Sequence, residues 1–512
     1  MALVTPVDTV PLDQLGRVHF VGIGGAGMSG VARIMLARGV AVSGSDSGSP
    51  AVLGELAALG ADVHHGHAAD HLGAARTVVV SSAIRPGNPE LAEARRRGLR
   101  VLPRAAALAS IMAGRRATAV AGTHGKTTTT SMIATILREC GADPGYVIGG
   151  VLAETGLGAE DGAGQDLVVE ADESDGSFLM LSPQVAVITN VEADHLDNYC
   201  GLAEIQSAFE AFARRIIPGG ALITCADDAG ARAVAEASRG MAIRVRSYGT
   251  SPSADYRVSA MTARGMGSTF TMTAAPDGPG APDGPGAPDG VPDPGPAAPA
   301  GRGAPDPGGA PSPVSFGEFT GLISITVPGR HNILNAAAAF AAAAELGLPA
   351  PQAAAVLSAY RGAQRRMEPK GDADGVRVLD SYAHHPTEVA ADLAAARDLA
   401  DGGRVIAIFQ PHLFSRTRIF GEQFGAALGL ADEAIVMDIY AAREDPEPGV
   451  TGRLVADAVP AGRARYVPDA AQVPAVITEV AKSGDIVLTM GAGDVTKLGP
   501  VIVAALRARG VA

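Results

Sequence analysis

The chain has 512 residues, of which 47% are hydrophobic and 19% are charged, and its net charge is −13. This length predicts two to four domains. The negative charge argues against a general nucleic-acid or membrane-surface binder. No apolar run reaches the roughly 18 residues of a membrane span, and the three cysteines lack metal-ligand spacing. We expect a soluble cytoplasmic enzyme with no nucleic-acid or membrane partner.

The first unit begins with a strand at Arg17–Val21, continues through the glycine loop Gly22–Gly27, and enters a helix at about Ala26–Arg38. Such a loop lets a pyrophosphate approach the helix N-terminus. Asp46 follows at the end of the next predicted strand, where it can accept a hydrogen bond from a ribose. Taken alone, this pattern favours NAD(H), although the glycines could serve only tight helix–strand packing.

A second glycine loop, G-T-H-G-K-T, lies at Gly122–Thr127 between a buried strand and a long helix. It is a shortened phosphate loop, with Val120 where the full motif has glycine. Backbone N–H groups would cradle phosphate, Lys126 would reach the β- and γ-phosphates, and Thr127 would coordinate Mg²⁺.

Acidic residues end two later strands of this unit, in E-A-D-E-S-D and D-H-L-D. The carboxyl edge of a parallel sheet lies beside the phosphate loop, so these carboxylates are candidate Mg²⁺ ligands. Glu170 is the first choice, because it directly ends its strand. His195 could bind a metal or hydrogen-bond the substrate phosphate, since histidine is a poor ligand for the hard Mg²⁺ ion.

Residues 275–313 are rich in proline and glycine and repeat A-P-D-G-P-G. We interpret them as a disordered insertion that lengthens a hairpin connection, since their flanks read as strands. A third α/β pattern starts at about Arg365, with apolar strands such as Val405–Phe409 between helical segments. The predicted fold class is therefore α/β, with three consecutive α/β units.

The two glycine loops together narrow the function. A hydride-transfer enzyme would leave the phosphate loop unexplained, and a plain ATPase would leave the first loop unexplained. A ligase that activates a carboxylate on a nucleotide-carried substrate uses both. A nucleotide-binding regulator that has lost catalysis stays open, although Lys126, Thr127, Glu170 and His195 argue against it.

The ordered motifs resemble the Mur ligase family of peptidoglycan synthesis, and within it the members that add L-alanine. The resemblance covers all three units and rests on the strings H-F-V-G-I-G-G-A-G-M-S-G, A-G-T-H-G-K-T-T-T, E-A-D-E-S-D-G-S-F, N-V-E-A-D-H-L-D, P-G-R-H-N-I-L-N, Y-A-H-H-P-T-E, F-Q-P-H-L-F-S-R-T and G-A-G-D-V. It implies a UDP-sugar-binding Rossmann-like domain at 1–113, a central ATP-binding P-loop domain at 114–364 and a C-terminal Rossmann-like domain at 365–512.

The resemblance also implies which residues form each site, with the first glycine loop holding the UDP diphosphate rather than NAD. The implied UDP-sugar residues are Gly22, Gly24, Gly25, Gly27, Met28, Ser29, Asp46, Ser82 and Asn88. The implied ATP-binding residues are Gly122, Thr123, His124, Gly125, Lys126, Thr127, Thr128, His331 and Asn335. The implied amino-acid and phosphate contacts are Tyr382, His384 and Arg416.

The implied reaction joins L-alanine to the lactyl carboxylate of UDP-N-acetylmuramate through an acyl phosphate, with ATP and Mg²⁺. The implied catalytic residues are Lys126, Glu170, His195 and His384, and the implied metal ligands are Thr127, Glu170 and His195. The nearest rival within the family recycles murein tripeptides onto the same UDP-sugar. Tyr382 and Glu388 favour the alanine reaction. We expect a monomer or a homodimer.

Overall fold

The computed structural model describes residues 4–48, 50–196, 198–274, 318–442 and 444–511. The insertion predicted at 275–313 lies outside the described residues. Three separate sheets, each with flanking helices, carry the described chain. The predicted α/β class and the three consecutive α/β units are therefore confirmed.

The first sheet has five parallel strands in the order β3-β2-β1-β4-β5. The chain order reverses beside β1, which leaves a crevice at the carboxyl ends of β1 and β4 where ligands bind in such sheets. Its elements are β1 Val18–Val21, α1 Ala26–Ala37, β2 Val42–Asp46, α2 Pro50–Ala58, β3 Asp62–His65, β4 Thr77–Val80, α3 Pro89–Arg96, β5 Arg100–Pro103 and α4 Arg104–Met112.

The central sheet has ten strands in the order β15-β14-β13-β12-β11-β10-β6-β9-β7-β8. Its parallel part carries the phosphate loop, and β13 to β15 extend it as antiparallel strands. Strands β14 and β15 flank the insertion and pair with each other, as the hairpin interpretation requires. The elements are β6 Arg116–Ala121, α5 Lys126–Glu139, β7 Gly145–Val147, β8 Ala159–Glu160, β9 Asp166–Glu170, β10 Val185–Ile188, α6 Leu202–Ala213, β11 Ala221–Cys225, α7 Ala229–Ala237, β12 Arg244–Gly249, β13 Tyr256–Arg264, β14 Gly267–Ala274, β15 Phe319–Ile325, α8 Arg330–Glu345 and α9 Ala350–Leu357.

The third sheet has six strands in the order β16-β17-β21-β18-β19-β20, and only the β16–β17 pair is antiparallel. Its two innermost strands, β21 and β18, are largely apolar runs that are buried on both faces, as parallel sheets covered by helices require. The elements are β16 Glu368–Ala373, β17 Val376–Ser381, α10 Pro386–Ala400, β18 Val405–Phe409, α11 Phe414–Leu428, β19 Glu433–Val436, α12 Arg453–Ala458, β20 Ala464–Tyr466, α13 Val473–Val480, β21 Ile486–Met490 and α14 Leu498–Val511.

One continuous apolar core joins the first unit to the central unit. Gly30 of α1 packs close to Ala159 and Val147, and a Cβ on Gly30 would lie 3.1 Å from the Ala159 methyl group. Arg38 adds hydrogen bonds to both carboxylate oxygens of Asp161. This junction fixes the first glycine loop relative to the second. Among the described helices, none has the length and apolarity to cross a membrane.

Candidate active site

The phosphate loop connects β6 to α5 at the carboxyl edge of the central sheet. Gly122 and Gly125 have φ angles of 137° and 81°, a region that favours glycine. Asn190, just beyond β10, accepts a hydrogen bond from the His124 N–H at 2.8 Å. Asn335 of α8 packs beneath the loop, where a Cβ on Gly125 would lie 2.5 Å from its Oδ1. Two neighbouring elements therefore fix the loop, and the first N–H groups of α5 have no intrahelical acceptor.

Lys126 lies within this loop and is paired with Glu173. Its Nζ donates to the Gly122 carbonyl at 2.6 Å and to Glu173 Oε1 at 2.9 Å. Burial alone would lower the pKa of Lys126, but Glu173 and Glu170 raise it above its usual value. The ammonium group is therefore charged at neutral pH. The second Glu173 oxygen is buried and has no hydrogen-bond partner within the described part of the chain.

Thr127 and Glu170 lie side by side, with the hydroxyl donating to Glu170 Oε2 at 3.0 Å. The Gly149 N–H donates to the same oxygen at 2.8 Å, which fixes the carboxylate. Arg366 of the third unit donates to the Thr127 hydroxyl at 3.3 Å. A hydroxyl and a carboxylate at this separation are hard oxygen donors, and they fit Mg²⁺.

His195, predicted to bind a metal or the substrate phosphate, lies beside the carboxylates of Glu173 and Asp194. Its Nε2 lies 3.5 Å from Glu173 Oε1 and 3.5 Å from Asp194 Oδ2. Burial would lower the pKa of His195, but these two carboxylates raise it. Asp194 in turn accepts a hydrogen bond from Arg416 at 2.7 Å. His195 therefore belongs to a charged cluster with Glu173, Asp194 and Arg416.

The third unit lies against the phosphate loop through His124. The two ring nitrogens of His124 lie 3.5 Å from Glu192 and 3.5 Å from Glu388. Burial would lower the pKa of His124, but the two carboxylates raise it to about 9. Thr387 also donates to Glu192 at 2.7 Å. The protonated His124 ring therefore forms ion pairs with Glu192 of the central unit and Glu388 of the third unit.

Tyr382 and His384 follow β17 in the third unit. The Tyr382 ring lies beneath the guanidinium groups of Arg365 and Arg366, at 4.8 Å and 5.5 Å. His384 Nδ1 lies 2.9 Å from the Tyr382 carbonyl, and its backbone N–H donates to Glu388. Burial lowers the pKa of His384 to about 3, so its ring is neutral at physiological pH. A neutral imidazole can accept a proton.

A cavity of about 240 Å³ lies between the phosphate loop, α8 and the third unit. His331 and Asn335, which the resemblance implies bind ATP, both line this cavity. Sequence reasoning missed other lining residues, in particular Cys225, Asp227, Asp228, Tyr248 and Arg366.

The first glycine loop connects β1 to α1, with Gly25 at the N-cap of the helix. The backbone N–H groups of Gly22 and Ile23 donate to the Ser45 carbonyl at 2.8 Å and 2.9 Å. Asp46 Oδ2 accepts from the Gly24 N–H at 2.8 Å, and Asp46 Oδ1 accepts from the Gly48 N–H. The Asp46 side chain therefore stabilises the conformation of the first glycine loop.

The other residues predicted for the UDP-sugar have varied surroundings. Ser82 is exposed just beyond β4, on the same sheet edge as the loop. Asn88 caps α3, where its side chain accepts from the Glu90 and Leu91 N–H groups. The Met28 side chain is buried in the core. The Ser29 hydroxyl donates to the Ala26 carbonyl within the first turn of α1.

Three family models match the chain in order. The Mur ligase catalytic domain matches residues 17–116, the Mur ligase middle domain matches 120–281, and the Mur ligase glutamate ligase domain matches 365–493. Together they cover more than half of the chain. The chain belongs to the Mur ligase family.

Individual Mur ligases resemble the chain over nearly its whole length. UDP-N-acetylmuramate–L-alanine ligase of Thermobifida fusca is 54% identical over 99% of this chain and 100% of its own. The crystal structure of UDP-N-acetylmuramate-alanine ligase from Thermotoga maritima is 26% identical, with a TM-score of 0.74 over 96% of this chain and 99% of its own. A murein peptide ligase from Psychrobacter arcticus is also 26% identical, with a TM-score of 0.65 over the same shares.

Several charged residues of this Mur ligase site were not singled out individually, chiefly Glu173, Glu192, Asp194 and Arg366. Three of them lie inside the family strings, so the sequence indicates the right segments. It does not indicate which carboxylate of E-A-D-E faces Lys126. That depends on the turn at Asp172–Gly176 and on the position of the third unit.

Proposed function

We propose that this Mur ligase joins L-alanine to the lactyl carboxylate of UDP-N-acetylmuramate and converts ATP to ADP and phosphate. The observation that carries the proposal is the 54% identity, over the full length of both chains, to an enzyme named for that reaction. The paired glycine loops and the charged cluster between them supply the chemistry it needs. The dependence on ATP favours the predicted cytoplasmic location.

We assign UDP-sugar binding to the first unit, at 1–113, and ATP binding to the central unit, at 114–364. The third unit, at 365–512, would contribute the amino-acid contacts. In the first unit, the loop residues Gly22, Gly24, Gly25 and Gly27 would bind the UDP diphosphate through the N-terminus of α1. Met28 would contribute its backbone N–H group, because its side chain is buried. The Ser29 N–H already donates to the Gly25 carbonyl at 2.8 Å, so Ser29 would act by supporting this first helical turn. Asp46 and Asn88 would shape the site, and Ser82 is free to contact the sugar.

ATP would occupy the cavity beside the phosphate loop. Its phosphates would lie against the loop residues Gly122, Thr123, His124, Gly125, Lys126, Thr127 and Thr128. The N–H groups of Gly125 to Thr128 would hold them, because the Thr123 and His124 N–H groups already donate to Asn190. His331 and Asn335 line this cavity and would contact the nucleotide. The buried ammonium group of Lys126 would neutralise negative charge that develops on the γ-phosphate.

Mg²⁺ would be held by the Thr127 hydroxyl and the Glu170 carboxylate, whose oxygens lie 3.0 Å apart. His195, also predicted as a ligand, is better suited to a phosphate contact, because its neighbours Glu173 and Asp194 favour its protonated form. The bound ion would supply charge neutralisation to the phosphates.

The reaction follows from these positions. An oxygen of the lactyl carboxylate attacks the γ-phosphorus, the bond to the ADP oxygen breaks, and an acyl phosphate forms. The amine of L-alanine then attacks the acyl carbon, the amine loses a proton, and phosphate leaves. Lys126 and the charged cluster orient the phosphoryl group. The third unit excludes water, which would otherwise hydrolyse the acyl phosphate.

The amino acid would bind between the third unit and the loop of the central unit that carries Asp194 and His195. Arg416 would attract its carboxylate or the leaving phosphate, and Tyr382 would line the pocket. His384 is the predicted acceptor of the amine proton whose ring is neutral, but its lowered pKa makes it a weak base, whereas the carboxylates beside His195 favour the protonated form of that ring. Glu170 would act through the metal.

Product analysis with labelled substrate tests this function. UDP-N-acetylmuramate carrying ¹⁸O in the lactyl carboxylate should transfer one ¹⁸O atom to the released phosphate, and the sugar product should gain one alanine. Lys126→Ala should abolish both signals. Alanine incorporation without ¹⁸O transfer would contradict the acyl-phosphate route, and neither signal in wild type would contradict the function.

A further inference from the structure

His385 is the second histidine of the string Y-A-H-H-P-T-E, and no step described above uses it. It follows β17 in the third unit, at the N-cap of α10, and only 5% of its surface is exposed. Its Nδ1 lies 3.4 Å from the Thr387 nitrogen, and its Nε2 lies 3.4 Å from the Ala193 carbonyl oxygen. Both distances exceed the usual hydrogen-bond range of about 2.7–3.2 Å. This buried imidazole therefore has only weak partners.

His124 of the phosphate loop lies against the His385 ring, with the two ring centroids 4.6 Å apart. His124 Nε2 is buried and has no hydrogen-bond partner among the residues that the structure describes. It lies 3.5 Å from Glu192 Oε2. A buried ring nitrogen without a hydrogen bond is uncommon and costly. This nitrogen is therefore suited to a ligand that also contacts Glu192.

The three side chains can share one metal ion. His124, Glu192 and His385 each offer one ligand atom, and these atoms all lie within 4.8 Å of one another. Ligand atoms around a tetrahedral zinc ion lie about 3.3 Å apart, given bonds of about 2.0 Å. The distance of 3.5 Å between His124 Nε2 and Glu192 Oε2 is close to that value. Two imidazole nitrogens and one carboxylate oxygen favour Zn²⁺ over the harder Mg²⁺.

Glu388 is placed to orient His124 toward such an ion. Its Oε1 lies 3.5 Å from His124 Nδ1. Metal-bound histidines commonly donate their other ring N–H to a carboxylate, which fixes the ring orientation and its tautomer. Coordination requires a ring nitrogen without a proton. The ion would therefore take the place of the proton that links His124 to Glu192 in the metal-free protein.

We propose that His124, Glu192 and His385 form a binding site for a borderline-soft divalent metal ion of the Zn²⁺ type, with Glu388 orienting His124. This site shares no ligand with the proposed Mg²⁺ site. His385 belongs to the third unit and the other two ligands to the central unit, so the bound ion would hold the third unit against the phosphate loop. The inference goes beyond the proposed function and does not depend on it, because binding needs neither the UDP-sugar nor the amino acid.

Metal binding to the whole enzyme tests this site. Enzyme stripped of metal by a chelator should be titrated calorimetrically with Zn²⁺ in excess Mg²⁺, for wild type, His385→Ala and Glu192→Gln. Wild type should bind one Zn²⁺ ion tightly per chain. Each variant should weaken the Zn²⁺ affinity about a hundredfold or more, since changes to residues that only orient a ligand already cost about 10–100-fold. Glu388→Gln should cause a smaller loss of about tenfold.

Two matched variants report on other places where Zn²⁺ could bind. Glu170→Gln alters the proposed Mg²⁺ site, and His71→Ala alters the histidines around Glu90 in the first unit. Both variants should keep the wild-type Zn²⁺ affinity. Visible absorption of bound Co²⁺ gives a second readout, because a four-coordinate site absorbs far more strongly than hydrated Co²⁺. Circular dichroism and thermal midpoints of the metal-free variants report whether each one is folded.

Loss of tight Zn²⁺ binding and of the strong Co²⁺ bands in His385→Ala and Glu192→Gln would support the site. Loss in Glu170→Gln with unchanged binding in His385→Ala would place the ion in the Mg²⁺ site and overturn the proposal. Loss in His71→Ala alone, or wild type without tight binding, would overturn it as well. If His385→Ala fails to fold, Glu192→Gln, which keeps the side-chain shape, decides the question. None of these results bears on ligase activity, which is measured without Zn²⁺.

Discussion

Asp194 of the central unit and Arg416 of the third unit form a buried ion pair, with Arg416 Nη2 2.7 Å from Asp194 Oδ1. Their side chains are only 4% and 7% exposed. His195 lies on the other oxygen of Asp194 at 3.5 Å. This ion pair therefore attaches α11 of the third unit to the loop of the central unit that carries Asp194 and His195.

Removal of Arg416 should destabilise the enzyme and impair its use of L-alanine. Arg416→Ala leaves the Asp194 carboxylate buried without its main partner, which costs about 3–5 kcal/mol in buried pairs. The midpoint of urea unfolding should fall, and KM for L-alanine should rise. The double variant Arg416→Ala/Asp194→Asn should recover part of the lost stability. A double variant as unstable as the sum of its parts would contradict a direct pair.

Thr127 variants test the magnesium site. Thr127→Ser keeps the hydroxyl that donates to Glu170, and it should keep activity within a few-fold of wild type. Thr127→Val has a similar shape without the oxygen and should raise the Mg²⁺ concentration for half-maximal activity about tenfold or more. Glu170→Gln should do the same. Equal Mg²⁺ dependence in Ser and Val variants would exclude Thr127 as a ligand.

Glu173 should matter for catalysis although the sequence favoured Glu170. Its carboxylate holds Lys126 Nζ at 2.9 Å and lies beside His195. Glu173→Gln keeps the shape but removes the charge, and kcat should fall about tenfold or more with little change in the Mg²⁺ requirement. Glu236→Gln, at an exposed surface pair, is the matched control. A Glu173→Gln enzyme with wild-type kcat would refute this role.

We predict that His124 stabilises the folded protein by an amount that depends on pH. Its folded pKa of about 9 is above the ordinary value of 6.5. Its contribution is therefore fully present below pH 6.5 and is lost as the pH rises through about 9. The neighbouring Glu192 and Glu388 have lowered pKa values and His385 stays neutral, so they do not titrate in this window.

The test compares urea unfolding of wild type and His124→Gln at pH 6 and pH 9.5. The stability difference should be larger at pH 6. His65→Gln, at an exposed histidine of the first unit, should show no such trend. A difference that grows toward pH 9.5 would mean that His124 is neutral between its two carboxylates.

The sequence predicts the buried apolar strands better than the residues at which strands begin after a turn. The apolar runs Thr77–Val80 and Val405–Phe409 each predict a buried strand, and the structure has strands with those bounds. The run Val40–Ser43 also predicts a strand, but the structure has it at Val42–Asp46. A turn through Gly39, with a φ angle of 76°, follows α1 and delays the strand.

The residues of the candidate site also differ in how well the sequence predicts them. Motif residues that act through backbone geometry, such as Gly122 and Gly125, are predictable because local conformation requires them. Glu192 and Glu388 meet only because His124 lies between two units. Contacts of that kind depend on how the third unit docks on the loop, which no local pattern encodes.

Phosphate release from ATP and Mg²⁺ tests the central claim most directly, measured with UDP-N-acetylmuramate and one acceptor at a time. The account predicts release that requires both the UDP-sugar and L-alanine and disappears in Lys126→Ala. Release with the murein tripeptide but with no single amino acid would contradict it and assign the enzyme to peptide recycling. No release with either acceptor would contradict ligase activity altogether.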